Sequence, residues 1–180
     1  MDDETRFLRA VEKVLAHEGG YVDDSLDPGG ATNYGISLRY LRSLGTDIGD
    51  LDNDGDVDEQ DIRKLSREQA VAIYRAHWWD RYGLARIDDA DVAATLFDLM
   101  VNMGATTAVR LLQQSLNTCG QAVLVDGVLG PKTVDATNRT PAGWLLAELR
   151  LAAIRRYVSL VTANRKLSKF LLGWILRALD

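Results

Sequence analysis

The chain has a single cysteine, Cys119, among its 180 residues, so no internal disulfide can brace it. That suits folding in a reducing compartment. Its two histidines, His17 and His77, lie far apart in sequence, and no Cys/His cluster of the zinc-binding kind is present. Proline occurs only three times, which leaves long stretches free to be helical. No apolar run approaches the ~20 residues that cross a bilayer, so no stable membrane insertion is expected. The most apolar piece, Phe170 to Leu176 (FLLGWIL), is far shorter and reads as a buried helix. The N-terminal MDDETRFLRAVEKV is charged and amphipathic. It has no basic segment followed by an apolar one, so we expect no signal peptide. Positive charge is also short: 21 Lys and Arg against 26 Asp and Glu give a net charge of −5, which argues against nucleic acid as a partner.

What is present is a hydrophobic fraction of 47%, enough for a packed core. Phe7, Val11, Val14 and Leu15 recur at helical spacing, and Gly19 and Gly20 end that helix. A short extended piece is expected around Tyr34 to Ile36, then a short helix over Leu38 to Leu44. Ser66, with Gln69 three residues on, forms a capping box for a helix reaching Trp79. Helical geometry sends only one of Trp78 and Trp79 into the core, and we expect Trp78. Asp91 to Met103 is apolar on most faces and reads as a central buried helix. Helices follow over Ala105 to Leu116, after the Asp126 to Thr133 turn, over Trp144 to Val161 and over Ser168 to Leu179. Thr140-Pro141 reads as an N-cap and first helical residue. Trp144 and Trp174 are expected in the core. The fold class is therefore mainly α, with one small irregular or β excursion near the front and a C-terminal helical lobe.

That excursion is HEGGYVDDSLDPGGATNYGIS, His17 to Ser37, with four carboxylates and five glycines. Glu18 falls at the negative end of a helix dipole, which disfavours its charged form, and burial would disfavour it further. A carboxylic acid kept protonated near neutral pH is what cleavage of a glycosidic bond requires, because the leaving oxygen must receive a proton. Asp23, Asp24 or Asp27 supplies a second carboxylate. Tyr21, Thr32, Asn33 and Tyr34 offer hydrogen bonds and an aromatic face to a sugar. Asn102, at the end of the buried helix, either reaches a sugar N-acetyl group or caps the helix.

The His17 to Ser37 stretch resembles the N-terminal signature of the glycoside hydrolase family 108 muramidases, phage- and prophage-type lysozymes. Phe97 to Asn117 (FDLMVNMGATTAVRLLQQSLN) and Val125 to Thr133 (VDGVLGPKT) are similar to the peptidoglycan-binding-type region that accompanies it. The resemblance runs from about Thr5 to Leu179. It implies a lysozyme-like α+β fold and cleavage of peptidoglycan between N-acetylmuramic acid and N-acetylglucosamine. It also implies the role of endolysin, with no cofactor for catalysis. The family's catalytic glutamate falls on Glu18. Asp27 and Thr32 match the Glu, Asp, Thr order of phage muramidases, although their threonine stands one position further on. The domains implied are a catalytic region over 1–90 and a peptidoglycan-binding-like region over 91–180, packed as one unit. The protein is expected to be a monomer made in the cytoplasm that reaches the wall by a holin-type route. A lytic transglycosylase and a non-catalytic wall-binding or export-accessory protein are the rival readings.

One segment lies outside that signature. DLDNDGDVDEQD, Asp50 to Asp61, holds seven carboxylates, and without it the rest of the chain would carry about +2. It fits a 12-residue EF-hand-like calcium loop in one register: Asp50, Asp52 and Asp54 at positions 1, 3 and 5, and Gly55 at the sharp turn. Asp56 offers its carbonyl at position 7, Asp58 sits at 9, and Asp61 stands at 12 where glutamate is usual. We expect a structural calcium ion there, ordering the segment that precedes the Ser66 helix.

Overall fold

The computed structural model describes residues 1–18, 20–21 and 30–180, with Glu18 described as a helix residue only and not in its side chain. Among these residues there are ten α-helices and one two-stranded antiparallel sheet. They fall into two compact units, Val11–His77 and a second made of Met1–Ala10 with Trp78–Asp180. The first helix, α1 (Asp3–Glu18), contributes to both.

In the Val11–His77 unit, Val11 and Val14 of α1 are fully buried, as the helical spacing dictates. Strands β1 (Thr32–Asn33) and β2 (Ile36–Ser37) pair with Thr32 opposite Ser37 and Asn33 opposite Ile36. The hairpin turns through Tyr34 and Gly35, both with positive φ (50° and 77°), the pattern whose twist suits a two-residue connection. Ser37 then caps α2 (Leu38–Ser43), its Oγ accepting from the Tyr40 N–H at 3.2 Å. A short α3 (Thr46–Gly49), not anticipated from sequence, leads into the acidic loop. After the loop come α4 (Glu59–Lys64) and α5 (Arg67–Tyr74), the latter opened by the expected Ser66–Gln69 capping box. Ile36, Leu41, Ile62, Ala70 and Tyr74 close the core of this unit.

The other unit is built on α6 (Ala90–Met103), buried over most of its length from Val92 to Met100. Phe7, Trp79 and Phe97 form an edge-to-face cluster with centroids 5.7, 5.8 and 6.3 Å apart. Each of these side chains is buried, which stabilises the unit by about 1.5–3 kcal/mol apiece, with a smaller increment from ring geometry. Helix α7 (Ala105–Thr118) packs on α6, and α9 (Ala142–Ala163) packs on both. Helix α8 (Pro131–Arg139) lies against α7 and α9, while α10 (Leu171–Leu179) lies against α9.

Five expectations are corrected, four about packing and one about a helix cap. Trp79, not Trp78, is the buried tryptophan; Trp78 is half-buried. The cause is a π-helical turn over Arg75–Asp80, whose wider turn rotates the following residues relative to an α-helical register. Trp144 lies 50% exposed rather than in the core. Trp174 is half-buried, stacked between Tyr157 (5.3 Å) and Phe170 (5.7 Å). The FLLGWIL helix is not buried all round, since Phe170, Leu172 and Leu176 are exposed. Thr140 does not cap α9; its hydroxyl donates to the Ala136 carbonyl at 2.7 Å and finishes α8.

Candidate active site

Helix α1 ends on Glu18, so this residue occupies the terminal position at which the helix dipole disfavours a carboxylate. The Glu18 side chain and Asp27 lie outside the described residues. Asp23 and Asp24, the other candidates for the second carboxylate, lie outside them too; the Val11–His77 unit holds Tyr21, Thr32, Asn33 and Tyr34. The Tyr21 ring lies under the Arg63 guanidinium, 4.6 Å from its centroid. Thr32 is half-buried, with its hydroxyl 3.4 Å from the Gly30 carbonyl. Tyr34 is half-buried at the hairpin turn, and its carbonyl accepts from the Tyr74 hydroxyl at 3.0 Å. Asn33 is buried, and its Nδ2 donates to the carbonyls of Ile62 (2.9 Å) and Leu65 (3.4 Å). Its amide therefore ties the hairpin to the end of α4. In the other unit, the Asn102 Oδ1 accepts from the Tyr157 hydroxyl at 2.8 Å.

The sequence leads one to expect a helical turn after Asp61, and α4 is that element; its contacts to the other site residues are what the sequence did not reveal. Its backbone holds Asn33, its Arg63 covers Tyr21, and its first turn is built by the acidic loop. Asp58 and Asp61 form a reciprocal capping box at its start. Asp61 is fully buried. Its Oδ1 accepts from the N–H groups of Leu51 (2.6 Å) and Asp52 (3.2 Å), and its Oδ2 from that of Asp58 (2.7 Å). Burial pushes the Asp61 carboxyl upward, but these backbone donors outweigh it and hold the group below its ordinary value. At the other end, Asp50 accepts from Asp54 N–H (3.2 Å) and Gly55 N–H (3.0 Å), curling the loop over its first carboxylate. Gly55 turns at φ 100°, a conformation that disfavours side chains. Arg42 Nε donates to the Val57 carbonyl at 2.7 Å.

The loop gathers its acids into two groups, Asp50 with Asp52 and Asp54, and Asp56 with Asp58 and Asp61. Within each, one oxygen per residue lies within 4.8 Å of the others, a spacing compatible with a shared metal ion. Repulsion from Asp54 above all raises the Asp56 carboxyl above its usual value. The Asp52 side chain is only 6% exposed. Its Oδ2 receives Lys64 Nζ at 3.0 Å, while its Oδ1 is shielded from solvent without a hydrogen-bond partner. A buried carboxylate oxygen left in that state is costly, and a cation beside it would remove the cost.

Comparisons with known proteins agree on what these elements belong to. The model of the family described as glycosyl hydrolase 108 matches residues 11–104, just over half of the chain. That of a predicted peptidoglycan domain matches residues 107–179. The solved structure of Brucella abortus SagA is similar at 30% identity and a TM-score of 0.77, over 97% of this chain and 90% of that one. No curated protein matches. The C-terminal half of α1 up to Glu18, the hairpin after it and the buried α6 all fall within the first match, and the chain belongs to the glycosyl hydrolase 108 family.

Proposed function

We propose that Glu18 is the proton donor in the reaction this glycoside hydrolase performs, hydrolysis of peptidoglycan between N-acetylmuramic acid and N-acetylglucosamine. The observation that carries the assignment is the family match beginning within α1, the helix that Glu18 terminates. As general acid, Glu18 delivers a proton to the departing glycosidic oxygen. Asp27 either activates water or supports the oxocarbenium-like charge. Thr32 assists as a third catalytic group, and Tyr21, Asn33, Tyr34 and Asn102 are assigned to holding substrate. For Asn33 and Tyr34 this is an indirect task, since the Asn33 amide and the Tyr34 carbonyl secure the hairpin that carries Thr32.

Cleavage is assigned to the region 1–90 and retention on the wall to 91–180. The test is product analysis of digested peptidoglycan with wild type and Glu18→Gln. Hydrolysis leaves a reducing muramic end, and the variant should lose nearly all of it, since removing a general acid costs ~10²–10⁴-fold. Anhydro products would assign a lytic transglycosylase instead. Unchanged clearing of cell walls by the variant would remove Glu18 from the mechanism.

The acidic loop is assigned to calcium, with Asp50, Asp52, Asp54, Asp56 and Asp61 as its ligand residues. The all-oxygen donor set suits a hard cation, and the orphaned, shielded Asp52 Oδ1 fits one. Calcium has no step in bond cleavage. Its role is to order the loop and α4, and through α4 the contacts to Asn33 and Tyr21. The protein acts as a monomeric endolysin of phage or prophage type that meets the wall after release through a holin-type lesion. Cell fractionation checks this: the chain should stay with intact cells and appear outside only on lysis, and its presence outside unlysed cells would overturn the release route.

A further inference from the structure

The predicted peptidoglycan domain contains a cleft of about 440 Å³ between α7 and α9. One wall carries Arg110 and Gln114 of α7, and the other carries Glu148, Arg155 and Arg156 of α9. The spacing explains the convergence. Residues 107, 110, 111, 114, 115 and 118 share one face of α7, and 148, 152, 155 and 156 share one face of α9. Leu111 forms a buried floor. Three guanidinium groups face one carboxylate in a chain whose net charge is −5, so the cleft reverses the sign of the whole molecule. Among the described residues none of the three arginines enters an ion pair. The carboxylate that Arg110 does influence, Asp126, is already held by Gln113 Nε2 (2.7 Å) and the Val128 N–H (2.8 Å).

We infer that this α7–α9 cleft binds the peptide stem of peptidoglycan, with Arg110, Arg155 and Arg156 taking its free carboxylates and Glu148 taking the side-chain ammonium of its third residue. The inference rests on the reading that the chain acts on peptidoglycan. The glycan backbone is rich in hydroxyl and acetamido groups, whereas the stem concentrates several carboxylates and one amine within a few residues. Three cations beside one anion match that stem and not the sugars. Guanidinium is the group best suited to carboxylate, because its planar fork donates two parallel hydrogen bonds. Glu148 adds selectivity, since a ligand lacking the amine leaves it facing only arginines and loses one attractive pair. Holding the stem in one unit while the glycan is cleaved elsewhere raises the local concentration of substrate without adding to the catalytic groups.

The test is calorimetric titration of the full chain with a synthetic stem pentapeptide carrying lysine or diaminopimelate at its third position. The same peptide with its carboxylates amidated, the peptide with its side-chain amine acetylated, and polyglycerol phosphate serve as parallel ligands. The free peptide should bind, more weakly as salt is raised. Arg155→Glu/Arg156→Glu should weaken it roughly tenfold or more, and Arg139→Glu, outside the cleft, should not. Glu148→Gln should narrow the difference between the free and acetylated amines. All these side chains except Glu148 are exposed, and unchanged thermal melting of each variant establishes that it folds. Equal binding of free and amidated peptides overturns the proposal, as does undiminished binding by the folded double variant. Tighter binding of polyglycerol phosphate overturns it in favour of a phosphate-bearing polymer. No glycosidic bond is cleaved in this experiment, so an inactive enzyme that binds peptide still supports the inference. An active one that ignores peptide defeats the inference alone.

Discussion

Helix α10 is fastened to α6 by one buried ion pair, and cutting it is the sharpest test of how the Met1–Ala10/Trp78–Asp180 unit is held together. Arg177 Nη2 lies 2.9 Å from Asp98 Oδ1, and its Nε lies 3.1 and 3.0 Å from the two carboxylate oxygens. The side chains are 9% and 4% exposed, respectively. At such exposure the desolvation of each charge is offset only while both are present. Asp98→Ala therefore leaves a guanidinium buried without its partner and should cost about 3–5 kcal/mol. For a chain of this size that corresponds to roughly a 6–20 °C fall in Tm. Replacing both groups with apolar ones, Asp98→Leu/Arg177→Met, should recover most of the loss, because the desolvation cost disappears along with the attraction. Urea unfolding of the wild type, both single variants and the double variant forms the cycle. A single-variant loss below about 1 kcal/mol would place the pair among those that solvent screens, and the reasoning would fail. A double variant as unstable as the sum of the singles would also refute it, since independent sites add and coupled ones do not.

Calcium at 100 times its Kd should stabilise the folded chain by about 2.7 kcal/mol, seen as a rise in Tm that chelator reverses. Asp52→Asn should abolish the rise, and an unchanged calcium response in that variant would remove Asp52 from the site. Tyr157→Phe should lose about 0.5–1.5 kcal/mol in denaturant unfolding, the ordinary worth of its hydrogen bond to Asn102. Burial pushes the Tyr157 phenol up to about 12, helped by Asp98 and opposed by Arg177. A raised value in the folded state means that its contribution is full below the unfolded tyrosine's ordinary value and declines as pH rises toward 12. Tyr157→Phe should flatten that alkaline decline in stability, and an unaltered slope would show that the phenol is not the group responsible.

Much of this protein could be read along the chain because the signals are local. The stripe of Phe7, Val11 and Val14 follows from a 3.6-residue period and is buried as that period demands. Ser66 and Gln69 cap α5 because a capping box involves residues three apart. The acidic loop could be placed in register from the alternation of aspartates around Gly55, and the structure curls it over Asp50. The position of Glu18 at a helix end followed from the glycines after it. Tertiary structure alone decided matters that depend on partners distant in sequence. A π-turn reset the helical phase so that Trp79 meets Phe7 and Phe97, and no local pattern announced the extra residue. Asp98 finds Arg177 and Asn33 finds the end of α4 only after helices with no mutual sequence signal have packed. Arg110, Arg155 and Arg156 look like ordinary surface charges until α7 and α9 are laid side by side. Periodicity fixes which face of a helix turns inward, whereas the identity of the group awaiting it there is set by how the elements pack.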